Sequence, residues 1–209
     1  MTVRHLLLDA DGVVQRVGGE GWRARVTGYL GDRADDFVAR LGELEDPALT
    51  GGGDFPAGLG RALAEHGVDV DPEAVYAGVW LDVEILPGTL GVVESVRRTG
   101  IGVHLATNQH PRRADHMKEH LGYDVLFDRS FYSCDLGVAK PDPGFFTRVA
   151  ALLDSPVPEL LFVDDSHDNV VGARVAGLAA EHWHHDHGVP ALAALLAAHG
   201  ISVDGTGTP

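Results

Sequence analysis

Leu6-Leu7-Leu8-Asp9-Ala10-Asp11-Gly12-Val13 decides the reading of this chain. An apolar run that opens at Val3 stops abruptly at two aspartates and a glycine. Apolar runs without polar alternation mark strands covered on both faces, as in parallel sheets. Two more runs behave in the same way. Residues 101–106 end at Thr107-Asn108, and residues 160–163 end at Asp164-Asp165. Residues 125–127 and 178–181 are weaker strand candidates.

Between these runs the apolar period changes from two to the helical value. Leu90, Val93 and Val96 precede Gly100, and Ala114, Met117 and Leu121 precede Gly122. Phe145, Phe146, Val149, Leu152 and Leu153 form a third face, and Val189, Leu192, Leu195 and Leu196 a fourth before Gly200. Alternating strands and helices predict an α/β fold with a doubly wound parallel sheet. Residues 15–86 break the alternation. They carry helical patches over 32–44 and 56–66, and a third after Asp71-Pro72-Glu73, where Asp71 is placed to cap and Pro72 to open the helix. The expected organisation is a discontinuous core of residues 1–14 and 87–209, with residues 15–86 inserted as a small all-helical cap. Gly51-Gly52-Gly53 reads as a loop of that cap, and no Gly-Lys-Ser/Thr follows it to make a phosphate loop. Residues 205–209 read as a disordered tail.

The 209 residues suit one domain with an insertion, and 44% hydrophobic residues suit a real core. The net charge of −15 disfavours nucleic acid and anionic membranes, which both need clustered Lys and Arg. Cys134 is the single cysteine, so no intrachain disulfide forms and a cytoplasmic location is expected. The run at residues 6–8 is too short for a signal-peptide core. His182-Trp183-His184-His185-Asp186-His187 is read as an exposed loop rather than a metal site.

In an open parallel sheet, ligands bind beyond the carboxyl ends of the strands. Asp9, Asp11, Thr107, Asn108, Asp164 and Asp165 should therefore gather at one edge. Carboxylates so gathered repel, and a hard cation such as Mg2+ relieves this where phosphate also binds. A fixed positive charge comes from Lys140, in Ala139-Lys140-Pro141-Asp142-Pro143. It is one of two lysines among 16 basic residues. A compact ammonium suits a tight phosphoryl site better than a guanidinium, and the other lysine, Lys118, reads as a surface residue.

These four segments, in this order, resemble the motifs of the haloacid dehalogenase-like (HAD) hydrolase superfamily: Leu8-Asp9-Ala10-Asp11-Gly12-Val13, Ala106-Thr107-Asn108, Lys140-Pro141 and Phe162-Val163-Asp164-Asp165-Ser166, with Asp168-Asn169 beyond. The resemblance covers the chain outside the insertion, and the insertion resembles the family's helical cap of the first type. It implies a Rossmann-like core in which Asp9 is the nucleophile and Asp11 the general acid and base. Thr107 and the Asn108 backbone would bind the phosphoryl group, and Lys140 would hold nucleophile and phosphate together. Mg2+ would be bound by Asp9, the Asp11 carbonyl and Asp165, with Asp164 as a further or supporting ligand. Asn169 would support Lys140 or the metal surroundings.

Asp11 argues against the family's dehalogenases, which lack the second aspartate. The absence of lysine from residues 15–86 argues against its phosphonatases, which use a cap lysine. The implied activity is Mg2+-dependent hydrolysis of a small phosphorylated metabolite, such as a sugar phosphate, through an aspartyl-phosphate. A sugar phosphate mutase and an inactive binding relative are the alternatives. Arg16, Trp22, Arg23 and Arg25 lie where the cap begins and could face the site. The oligomeric state is left open as monomer or homodimer.

Overall fold

The computed structural model describes residues 2–18 and 22–203, the side chain of Trp22 excepted. Residues 19–21, at the cap entry, and the tail at 205–209 lie outside the described residues.

The core is a five-stranded parallel sheet in the order β5-β4-β1-β6-β7. β1 (His5–Leu8) is central, pairing in register with β4 (Gly102–Thr107) on one side and β6 (Leu160–Asp164) on the other. β5 (Arg129–Tyr132) and β7 (Ala179–His182) form the edges. Leu6 and Leu8 point into one apolar layer and Leu7 into the opposite one, as the two-residue period of a strand requires. The first layer is closed by α5 (Pro87–Arg98), α6 (Pro111–His120), the short α7 (Tyr123–Leu126) and α11 (Val189–Ala198). The second is closed by α9 (Pro143–Leu152) and α10 (His167–Ala176). A further short helix, α8 (Ser133–Leu136), follows β5. Full burial of one such Leu contributes about 1.5–3 kcal/mol, and Leu6, Leu7 and Leu8 are all buried.

One strand reading needs correction. Residues 125–127 close α7 instead of forming a strand, and the edge strand begins at Arg129. Its sequence, Arg-Ser-Phe-Tyr, opens on two polar residues and buries only Phe131 and Tyr132, so it shows no continuous apolar run.

The insertion is not wholly helical. It holds α1 (Trp22–Leu30), α2 (Ala34–Ala48), α3 (Phe55–Glu65) and α4 (Pro72–Tyr76), the last running into a π-helical turn at Ala77–Leu81. At its two ends β2 (Gln15–Val17) pairs antiparallel with β3 (Val83–Ile85). Three residues per strand are too few to show a period, so only their pairing reveals them. The insertion has its own apolar core, in which Val26, Phe37, Leu41, Phe55, Leu59 and Tyr76 are all buried. Asp54 and Asp71 cap α3 and α4 with their side chains, each followed by proline in the first turn.

The insertion rests on the start of α6. The His110 ring stacks on Phe55, centroids 4.6 Å apart. The Arg112 guanidinium lies over the Tyr76 ring at 4.1 Å and pairs with Glu73. Arg113 Nε donates to the Trp80 carbonyl at 2.8 Å.

Candidate active site

The loop that follows β1 brings its two aspartates to different cations. Asp9 is buried, and its Oδ1 accepts from Lys140 Nζ at 2.8 Å. The same ammonium donates to Asp164 Oδ2 at 2.7 Å and to the Ala106 carbonyl at 2.9 Å. All three of its protons are thus used, one on the end of each of the three central strands. Burial pulls the Lys140 pKa down, but the Asp9 and Asp164 charges outweigh it and hold the group above its ordinary value. Burial pushes the Asp9 carboxyl above the usual carboxylate range, against the pull of Lys140.

Asn108 fixes Lys140 from the main-chain side. Its Nδ2 donates to the Lys140 carbonyl at 2.8 Å, and its Oδ1 accepts from the Lys140 amide at 2.9 Å. Asn169 reaches Asp164 instead of Lys140, donating to both carboxylate oxygens at 3.1 Å. The Ser166 amide also donates to Asp164 Oδ1, at 2.7 Å. Asp164 is therefore fully buried and saturated with donors, whereas Asp165 lines the cavity above it. Gly12 has φ +75°, and a Cβ there would lie 2.3 Å from Asp165 Oδ2. Only glycine lets the two loops approach this closely.

Oxygens of Asp9, Asp164 and Asp165 lie within 4.8 Å of one another. Three carboxylates face one ammonium, and all the donors are hard oxygens. This set fits Mg2+ and not a thiophilic metal. The Asp11 side chain is outside the cluster, so of the four aspartates read as metal ligands it has only its main chain to offer.

The Asp11 carboxylate is gripped by a residue that the motif reading passed over. Arg113 embraces it with two bonds, of 2.7 and 2.8 Å. Gln15 and Gln109 add donors at 2.9 and 3.1 Å. Burial pushes the Asp11 carboxyl up, but Arg113 and these hydrogen bonds outweigh it and hold it below the usual range. Gln109 also donates to Thr107 Oγ1 at 3.0 Å, and the Tyr123 hydroxyl donates to Gln15 at 2.5 Å. The available sequence signal was proximity: Gln15 and Gln109 follow the first and second motifs by a few residues, and Arg113 sits one helical turn further on.

The cap-entry residues divide. Arg16 lines the cavity rim, paired to Glu84 at 2.7 Å on the neighbouring strand. Arg25 does not face the site. It donates to the Gly18 and Gly78 carbonyls and pairs with Asp82, all within the insertion. Arg23 is exposed and pairs with Asp35. The Trp22 side chain lies outside the described residues. The histidine loop is drawn closer than expected. The His185 amide donates to the Gly12 carbonyl at 2.8 Å, the His182 ring contacts the Asp165 carbonyl at 2.8 Å, and His184 and His185 line the cavity.

A family model for haloacid dehalogenase-like hydrolases matches residues 3–177. The chain belongs to this family of hydrolases. It is 31% identical over 197 residues to phosphatase MT3486 of Mycobacterium tuberculosis, covering 86% of this chain and 87% of that protein. It is 32% identical over 92 residues to sesquiterpene phosphatase astK of Aspergillus oryzae, covering 44% of this chain and 46% of that one. Several curated relatives are longer than this match, and the chain spans half of their length or less. The fold is similar to that of HAD family enzyme bt-2542 from Bacteroides thetaiotaomicron, solved as a magnesium complex, with TM-score 0.71 and 19% identity over 88% of this chain and 94% of that one. Among the described residues, no helix is long and apolar enough to cross a membrane.

Proposed function

We propose that this protein is a Mg2+-dependent phosphomonoester hydrolase working through an aspartyl-phosphate on Asp9. The observation that carries the reading is the Lys140 ammonium held between Asp9 and Asp164, with Asp165 beside them at the cavity floor. Asp9, the Asp11 carbonyl and Asp165 would hold the metal, and Asp164 would anchor Lys140. Mg2+ would supply the charge that lets a phosphate dianion approach these carboxylates.

An Asp9 oxygen attacks phosphorus, the ester P–O bond breaks, and the leaving oxygen takes a proton from Asp11. Water then attacks the phosphorus of the acyl phosphate, giving its proton to Asp11 and releasing inorganic phosphate with Asp9 restored. Thr107 and the Asn108 main chain would bind the phosphoryl oxygens. The arrangement seen here, with Asp11 ionised against Arg113, is the proton-accepting form of the second step. Donation in the first step requires the carboxyl to leave the guanidinium fork. Residues 15–86 would act as a separate cap domain hinged at the β2–β3 pair, over a core of residues 1–14 and 87–209.

The test is release of inorganic phosphate from p-nitrophenyl phosphate and a panel of phosphomonoesters, with Mg2+ and with EDTA. Turnover should need the metal, and Asp9→Asn should lower it by about 10⁴-fold or more without changing the fold. Near-wild-type activity of Asp9→Asn would remove Asp9 as the nucleophile. Interconversion of hexose 1- and 6-phosphates without phosphate release would replace hydrolysis by phosphoryl transfer between hydroxyls.

A further inference from the structure

The cavity over the carboxylates has a volume of about 780 Å³ and two unlike walls. The core wall is polar, with Asp11, Asn108, Arg113 and Asp165, and Arg16, His184, His185 and Asp186 continue this polar side. The opposite wall comes from α2, from Leu49 just after it and from the π-helical turn, and its other apolar members are Val38, Leu41, Val79 and Trp80. The α2 residues recur at helical spacing, so one face of α2 is turned to the cavity. Leu41, Val79 and Trp80 are buried even though they line it. Among the described residues, Glu45 is the one charged residue of this wall, and its carboxylate accepts from Trp80 Nε1 at 3.3 Å.

Gly42 lies in the middle of the same face. A Cβ there would meet nothing within 4 Å. Glycine weakens a helix interior relative to alanine, and no turn or close packing asks for it here. Its effect is to leave the cavity open above α2.

Taking the hydrolase reading as its base, we infer that the ester cleaved here is the monophosphate of a hydrophobic alcohol, its hydrocarbon body lying along the α2 face. The phosphate would meet the polar wall and the body the apolar one. A sugar phosphate would press several hydroxyls against aliphatic side chains with Glu45 as their one partner on that wall, and buried hydroxyls without partners are disfavoured. Cavities of about 300–1,000 Å³ suit bodies of drug-like size, so a two- or three-carbon ester would leave most of this one to water.

The experiment uses the full chain with Mg2+ and two series, both kept below micelle-forming concentrations. Calorimetric binding of n-alkylphosphonates from ethyl to octyl reads the cavity without needing turnover. Affinity should rise about two- to fourfold per methylene, as buried methylenes do. The kcat/KM for octyl phosphate should exceed that for glucose 6-phosphate by about 100-fold. Gly42→Leu fills the open space on a helix that tolerates leucine, and it should stop the rise at a shorter chain length. Flat affinity along the series, a preference for glucose 6-phosphate, or an unchanged octyl affinity in Gly42→Leu each overturns the inference. A rising binding series without any phosphate release from p-nitrophenyl phosphate supports the hydrocarbon site and removes the hydrolase reading instead.

Discussion

Two buried cations flank the Asp9-Ala10-Asp11 loop, and they are used in opposite ways. Lys140 divides one compact charge among Asp9, Asp164 and the Ala106 carbonyl, all from the sheet edge. Arg113 spends a planar fork on the single carboxylate of Asp11 and turns its Nε to the Trp80 carbonyl of the insertion. The first cation gathers charges of the core where a phosphate would arrive. The second links one core carboxylate to the insertion. A point charge suits sharing and a fork suits clamping, so the residue types follow the two tasks.

The comparison breaks most sharply at Lys140. Lys140→Met leaves Asp9 and Asp164 buried beside each other without a cation. Removing one partner of a buried ionic group costs about 3–5 kcal/mol. Denaturant unfolding should show a loss of that order, partly restored by Mg2+, and kcat/KM should fall by about 10³-fold or more. Stability equal to wild type in EDTA would mean that Lys140 does not neutralise this cluster.

Arg113 should give a smaller and more divided effect. Arg113→Lys keeps the charge but cannot make both bonds to Asp11 and also reach Trp80. We expect kcat to fall about tenfold, and about 100-fold for Arg113→Met, with KM moving less than kcat because Asp11 acts on the reacting oxygens. Full activity in Arg113→Lys would show that the fork is dispensable and that charge alone matters.

The difference between the two cations also marks what could be read from the sequence. Lys140 stood out because lysine is rare in this chain and because Pro-Asp-Pro follows it. The three central strands were legible as apolar runs ending in polar residues, and their ends met as the fold requires. Arg113 was hidden. It is one of 14 arginines left when the two lysines are subtracted from 16 basic residues, and it lies on a helix face whose partner is more than 100 residues away. The β2–β3 pair was hidden for a related reason, since three-residue strands carry no period and their pairing spans the whole insertion. Arg25 lies near the start of the insertion, where its side chain could face the site, yet its bonds turn it to the insertion's own backbone. Sequence proximity to a motif treats Arg16 and Arg25 alike, yet one lines the cavity and the other does not, because the direction of a side chain depends on packing that no local pattern encodes.

The effect furthest from the chemistry concerns two buried histidines, one where the insertion is seated and one in the core sheet, and it can be read without any substrate. His110 carries the contact between α6 and Phe55, and burial, with Arg113 and Arg112 beside it, depresses its pKa to about 3. Glu45 Oε1, 3.9 Å away, and the Tyr76 hydroxyl are the other polar groups that face it. His104, in the middle of the core sheet, is depressed to about 4 by burial and by His5, whose Nδ1 lies 3.0 Å away. Both rings stay neutral in the fold while the unfolded chain takes up protons below about 6.5. The unfolded state then binds more protons, so stability is complete above pH 6.5 and declines as the pH falls toward 4 and 3. Between pH 7 and 5 each ring should cost about 2 kcal/mol. Unfolding free energies of the wild type, His110→Phe and His104→Gln at the two pH values separate the contributions. Each replacement should remove its own share of the pH dependence. A slope unchanged in His110→Phe would mean that this ring is protonated in the folded protein, in spite of its burial between the insertion and α6.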